Sequence, residues 1–263
     1  MTRVLGQDWE HSLRRLLKLV LAVSLVLVVL ELGFHLIAAP TLRLARVYVS
    51  GDDRGLSNQA LLSLMGLSSR EYYFSISDSE VEKRLAQVPW IRSARVFKVF
   101  PDTLHVEIQP RVPLALIMTK LEGRQLLLSV DSQGVVFDVN SQDAGRNLPI
   151  LSGISFQTLQ PGMKLPDTLS SLFQSLARLD QQSHGLFAQI SEIRVRRTDG
   201  GGFETILYPV QGTVRVILPE AWNDNLLQQA FVLLDVIQKQ GWDSKTKEID
   251  FRTTPVVVKS RES

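Results

Sequence analysis

The sequence predicts an α+β protein with a single N-terminal transmembrane helix, a β-α-α-β-β domain, and then a β-rich domain with two helices. Three observations carry this reading. An apolar run with no counterpart elsewhere covers residues 19–39. Two short helical stripes with capping residues stand among three strands between residues 42 and 111. From residue 112 onward, alternating segments outnumber helical ones. The composition is that of a packed chain: 263 residues, 44% hydrophobic, 21% charged, formal net charge +2. With no cysteine and four histidines, His11, His35, His105 and His184, there is no thiolate zinc site and little basis for a histidine one. Near-neutral charge also lacks the basic footprint of a nucleic-acid binder. The mean hydropathy of +0.06 is high for a soluble domain, and the excess lies in the N-terminal segment.

Leu19 to Leu30 read LVLAVSLVLVVL, and apolar character resumes after Glu31 until Pro40 stops it. As a helix, residues 19–39 span about 30 Å, the hydrocarbon thickness of a bilayer. Arg14, Arg15 and Lys18 abut the run, whereas Arg43, Arg46 and Arg54 follow it loosely, so residues 1–18 are expected in the cytoplasm and the rest outside it. The competing reading is a cleaved signal peptide, against which stand Ile37 three places before Ala39 and Pro40 directly after it. Glu31 and His35 are ionisable groups inside the span. Either they face a polar residue of a partner transmembrane helix, or they satisfy each other at i, i+4, or the helix slides so that Glu31 approaches the outer interface.

Beyond the span, Leu44–Ser50 alternates as a strand and ends in the turn cluster Ser50-Gly51-Asp52-Asp53. Ser57 caps a short helix bearing Leu61, Leu62, Leu64 and Met65, closed by Gly66. Ser77 and Glu80 have the spacing of a capping box, opening a helix with Val81, Leu85 and Val88 that stops at Pro89. Ala94–Phe100 is a second strand, Pro101-Asp102 a turn, and Leu104–Ile108 a third strand with Leu104, Val106 and Ile108 inward. Two helices on one face of a three-stranded sheet follow. Trp90 reads as an apolar plug.

Downstream strands are expected at residues 114–119, 125–130, 135–138, 193–197, 203–208, 213–218, 248–252 and 256–259. Asp167 opens one helix, with Leu169, Leu172, Phe173, Leu176 and Leu179. Asn223 opens another, with Leu226, Ala230, Leu233, Leu234 and Ile237, ending by Gly241. No nucleophile elbow, phosphate loop or zinc-ligand spacing is present, so the chain reads as non-enzymatic, without cofactor or metal. His105 and Glu107 share a strand face and read as solvated; His184 reads as a cation at a helix end. Arg194, Arg196 and Arg197 form a basic strand, turned to an anionic surface or to solvent. In the last strand Ile249 and Phe251 point one way and Asp250 and Arg252 the other, with Val256, Val257 and Val258 continuing it. Such an edge either accepts a partner strand or is guarded by Pro255.

The strings Arg46–Gly51, Leu85–Val96 and Phe100–Leu104 with Glu107 resemble the POTRA domain of the FtsQ/DivIB bacterial cell-division family. Leu128–Phe137, Leu148–Gly153 and Ile249–Arg252 resemble later elements of the same family, in the same order. Phe100 departs from the family's usual Trp, and Thr253 from the aromatic that often follows the arginine. The resemblance implies a cytoplasmic tail (1–18), a transmembrane helix (19–39), a POTRA domain (42–111) and a β domain (112–263). It implies a divisome scaffold in the inner membrane at the septum, single-pass, with its C-terminal domains extracytoplasmic, linking early and late division proteins. It implies that FtsB, held with FtsL, adds to the final strand at Ile249, Asp250, Phe251 and Arg252, continued by Val256 to Val258. Charge reversal at Arg252 or proline at Val257 is then expected to abolish binding. The septal peptidoglycan synthase complex is a further implied partner. A POTRA component of a secretion or outer-membrane assembly machine is the other reading, which the absence of visible repeats disfavours.

Overall fold

The computed structural model describes residues 5–34, 43–51, 54–68, 71–121, 123–139, 147–156, 158–198, 200 and 202–261. Helix α1 (Leu5–Gly33) begins earlier than the apolar run suggested. Its stretch Leu13–Gly33 is long and apolar enough to cross a membrane, and none of it is buried in the protein. A helix clad in exposed Leu and Val needs lipid or a partner around it. Glu31 is exposed two residues before the end of α1, nearer an end of the apolar stretch than its middle; His35 and the rest of 35–39 lie outside the described residues.

The chain forms two compact units, Met1–Ala86 with Ser93–Gln109, and Gln87–Arg92 with Pro110–Ser263. The first holds β1 (Arg46–Gly51), α2 (Asn58–Met65), α3 (Asp78–Ala86), and most of β2 (Ile91–Val99) and β3 (Thr103–Pro110). The sheet order is β1-β3-β2, with β1 parallel to β3. The expected caps of α2 form: the Ser57 side chain accepts from Ala60 N–H, and Gly66 at φ 67° donates its N–H to the carbonyls of Leu62 and Ser63. The capping box of α3 does not. The Glu80 carboxylate turns to Arg84 at 2.6 Å, one turn on, while Ser77 Oγ lies against Ser79 Oγ. Arg84 also donates to the carbonyl oxygens of Met65 and Gly66, tying α3 to the end of α2. Leu61, Met65, Val81, Leu85, Val96, Leu104, Val106 and Ile108 form the core beneath. On the opposite face His105 is not free in solvent: its ring stacks between Tyr48 and Phe97, with centroids 5.2 and 5.1 Å away.

The second unit contains β4 (Ala115–Leu121), β5 (Arg124–Val130), β6 (Val136–Val139), β7 (Ile150–Ser152), α4 (Ser170–Gln182), α5 (His184–Phe187), β8 (Ile190–Arg197), β9 (Phe203–Pro209), β10 (Arg215–Leu218), α6 (Asp224–Lys239), β11 (Thr246–Asp250) and β12 (Val257–Ser260). Its nine strands run in the order β12-β11-β10-β9-β8-β7-β4-β5-β6. Leu172, Leu176 and Leu179 of α4 and Leu227 of α6 are fully buried against Ile117, Leu128, Leu151, Ile193, Leu207 and Val216 of the sheet. Both stripes therefore serve the core, as their spacing requires. The α6 start is as expected, with the Asn223 side chain accepting from Leu226 N–H. His184 differs: it opens α5 rather than closing a helix, and lies 3.1 Å from Asp180. Strand β7 was not expected. It is only three residues long, too short to show alternation, and forms because β4 and β8 flank it with parallel pairings. Gly153 ends it at φ 82°, where a Cβ would stand 2.1 Å from Val195 O.

Candidate functional site

The sheet has an open edge at β12, and the last turn of the chain builds it. Ile249↔Val258 and Asp250↔Val257 are cross-strand partners, so residues 249–258 form a hairpin rather than one continuous strand. The reversal occurs over Phe251–Val256 and includes Pro255. Phe251 N–H donates to Ile217 O on the β10 side at 2.9 Å. By the two-residue alternation of a strand, Ile249 also faces β10 and Asp250 faces β12. Arg261 N–H donates to Lys245 O at 2.8 Å. Arg261, Lys259 and Val257 therefore turn their backbone groups toward β11, and Val258 turns its own outward along the edge.

The seven candidate residues of the final strand divide accordingly. Ile249 is fully buried, in a small cluster with Val214 and Ile237 to which half-buried Phe251 adds its ring. Asp250 is 6% exposed and its β11 neighbours are paired on both sides, so Ile249 and Asp250 present no open backbone. Val256, Val257 and Val258 are 41%, 42% and 52% exposed. Val257 and Val258 stand on the edge strand with Val256 just before it, their exposed side chains alternating between its two faces beside an outward-facing amide.

Arg252 straps the hairpin shut. Its guanidinium donates to both carboxylate oxygens of Asp250 at 2.9 and 2.6 Å and to Glu204 on β9, and its backbone N–H donates to Asp250 at 3.0 Å. Arg196 closes on the other side of Glu204. Nearby, Glu248 receives Arg215 at 2.8 Å and Lys259 at 2.8 Å. The bonds from Arg252 hold the Asp250 carboxyl below the usual range against the opposing effect of burial, and the Arg252 guanidinium is held above its ordinary value by the same pair. Burial pushes Glu248 up, but the bonds from Lys259 and Arg215 outweigh it and its net shift is downward. Asp250, Glu248 and Arg252 are therefore charged at neutral pH. The chemical role of the strap is to fix the turn that presents β12.

Glu204, Arg215, Glu248 and Lys259 did not stand out in the sequence, and Arg196 did so only as part of a basic strand. Arg196↔Glu204 was accessible in principle, since a hairpin centred near Gly200 places them opposite each other. Glu248 and Lys259 become partners only once the chain reverses at Pro255. The basic strand β8 is largely neutralised: Arg194 pairs with Glu192 and lies over the Tyr208 ring, and Arg196 with Glu204. Trp90 is half-buried.

Residues 42–111 match the family model for the POTRA domain of the FtsQ type. The chain is 28% identical over 171 residues to a cell division protein FtsQ from Syntrophotalea carbinolica, covering 64% of this chain and 58% of that protein. It is 27% identical over 215 residues to the FtsQ protein of Anaeromyxobacter sp. strain K, covering 81% and 69%. It is 26% identical over 228 residues to that of Geobacter sp. strain M21, covering 86% and 80%. The solved extracytoplasmic domain of the division protein DivIB from Geobacillus stearothermophilus aligns with 49% of this chain and 96% of that one, at 14% identity and a TM-score of 0.32.

Proposed function

We propose that the chain is a member of the FtsQ/DivIB family of cell-division proteins, supported by the match of residues 42–111 to the FtsQ-type POTRA model and by the likeness to FtsQ proteins, and that it is a non-enzymatic, membrane-anchored divisome scaffold. On this reading α1 holds it in the inner membrane at the septum as a single-pass protein, with both units outside the cytoplasm. It binds the FtsB/FtsL subcomplex there and links early to late division proteins, the septal peptidoglycan synthase complex among them. Glu31, with His35, is the proposed contact for a partner's transmembrane helix.

The observation that carries the reading is the open β12 edge, with Val256 to Val258 exposed and the Val258 backbone turned outward. An extended FtsB segment adds as a further strand, its main chain bonding to that edge. Binding residues in the strict sense are then Val256, Val257 and Val258. Ile249, Asp250, Phe251 and Arg252 act by building the hairpin.

Position 257 is a poor place for a test, because its N–H serves the β11–β12 ladder and proline there breaks the hairpin itself. Val258→Pro removes only an outward donor and suits an edge position. In a pull-down of the extracytoplasmic segment of FtsB by the full chain, V258P is expected to lose binding at least about tenfold, the equivalent of 1.4 kcal/mol. Its urea unfolding midpoint should stay unchanged. Undiminished capture by V258P sinks the strand-addition reading.

A further inference from the structure

The pole of the first unit where the chain arrives from α1 carries exposed aromatic rings. Arg43, the first described residue beyond α1 and Phe34, bridges Tyr72. Leu44 N–H donates to Glu71 O and Ala45 N–H to Asp102 O, both at 2.9 Å. The incoming chain is thus laid between the Glu71–Phe74 segment and the Phe100–Asp102 turn. Buried Tyr73 supports two rings edge-on at this pole, Phe74 with its centroid at 5.3 Å and Phe100 at 6.2 Å. Those two are 57% and 67% exposed, and neighbouring Val99 is 43% exposed. Surface phenylalanines held rigidly on a buried ring form a patch with an unmet demand for apolar cover.

Chain length states what is within reach. Residues 35–42 separate α1 and Phe34 from Arg43, a tether of roughly 30 Å when fully extended. If α1 lies in a bilayer, this pole is held within about one domain diameter of it, at high effective concentration. Several charges at the pole are engaged, Arg46 with Asp102 at 2.8 Å, Lys98 with Asp78 at 3.8 Å, and Glu71 with the hydroxyls of Ser68 and Ser75, while Arg43 stands exposed beside them. Aromatic rings beside paired charges suit the headgroup–acyl boundary, where Phe, Tyr and Trp sit with their apolar edges submerged.

We propose that Phe74 and Phe100 insert into the interfacial layer of the membrane that α1 crosses, docking the first unit on the bilayer. The proposal rests on α1 being a retained span. The docking is driven by apolar burial, and exposed Arg43 beside the rings adds a modest, salt-screened attraction to anionic lipid.

The chain has no cysteine, so one introduced thiol carries a single nitroxide. The full chain bearing Val99→Cys, labelled and placed in phosphatidylcholine nanodiscs with or without phosphatidylglycerol, is expected to collide more often with lipid-soluble oxygen than with a water-soluble nickel chelate. A label at Ser50→Cys, near the opposite end of β1, should show the reverse. Adding Phe74→Ser and Phe100→Ser, both at exposed positions, should move the Val99 label into water. Docking is overturned if the label at 99 is water-accessible while the chain stays in the discs, or if the double substitution leaves it in lipid. A chain that fails to remain in the discs overturns the span, and docking with it.

Discussion

Replacing Arg252 by alanine distinguishes a strap from a contact residue. The guanidinium satisfies Asp250 and Glu204, whose side chains are 8% and 6% exposed, while Arg252 itself is 38% exposed. A hydrogen bond to a charged group contributes about 1.5–3 kcal/mol, and deleting one partner leaves the other to carry its own desolvation. Partial exposure of the arginine lets water recover some of this, so we expect a loss of about 2–4 kcal/mol for the second unit. For a domain of this size that lowers Tm by about 5–15 °C. Urea denaturation followed by tryptophan fluorescence is a suitable assay, because Trp222 is buried in the same unit. Arg252→Lys keeps the charge but not the fork, and should fall between the two. A destabilisation below about 0.5 kcal/mol, the range of an ordinary surface change, together with lost FtsB-segment binding, would refute the strap and make Arg252 a direct contact.

Acid should weaken the second unit through the same groups. Asp250 and Glu248 both titrate below their ordinary values in the fold, so their stabilisation is complete above about pH 5 and is lost progressively as pH falls through the unfolded and then the depressed folded values. Asp250→Asn should flatten the acid limb of a stability-versus-pH curve measured by urea titration; an unaltered limb contradicts the assignment. Gly153→Ala should cost at least about 2 kcal/mol, because a left-handed φ and a blocked Cβ position act together. A near-neutral result in the same denaturation assay would mean that the β7–β8 crossing relaxes easily.

What the sequence made legible was whatever is decided locally. Ser57 and Gly66 bracket α2 because both caps are satisfied within one turn, and Leu172, Leu176 and Leu179 mark a buried helix face by spacing alone. The Ser77 box failed for a reason equally local but unweighted: Glu80 has an arginine at i+4, and the ion pair outcompeted the cap. Pro255 was harder. A proline after Asp250 and Arg252 reads as an interruption in a continuing strand, since no Gly or Asn announces a reversal there. The information that the chain folds back lies in Glu204, on a strand far away in sequence, which receives Arg252 and fixes the turn. Non-local partners of that kind cannot be read from spacing. For the candidate site this separated the exposed valines, legible as an edge, from Ile249 and Asp250, whose burial was not.

The nine-stranded sheet also has a seam. β4, β5 and β6 pair antiparallel with their neighbours in sequence, as do β8, β9 and β10. Among the described strands the two groups are joined in the sheet by β7, three residues that must align in parallel with Leu116 on one side and Glu192 on the other. Loop-closure entropy is small for the hairpins and larger for these two distant registrations. Folding should therefore proceed as two nascent meanders that zip together late, with Ile150 to Ser152 setting the pace, and hydrogen exchange should find the outer hairpins protected before the middle of the sheet.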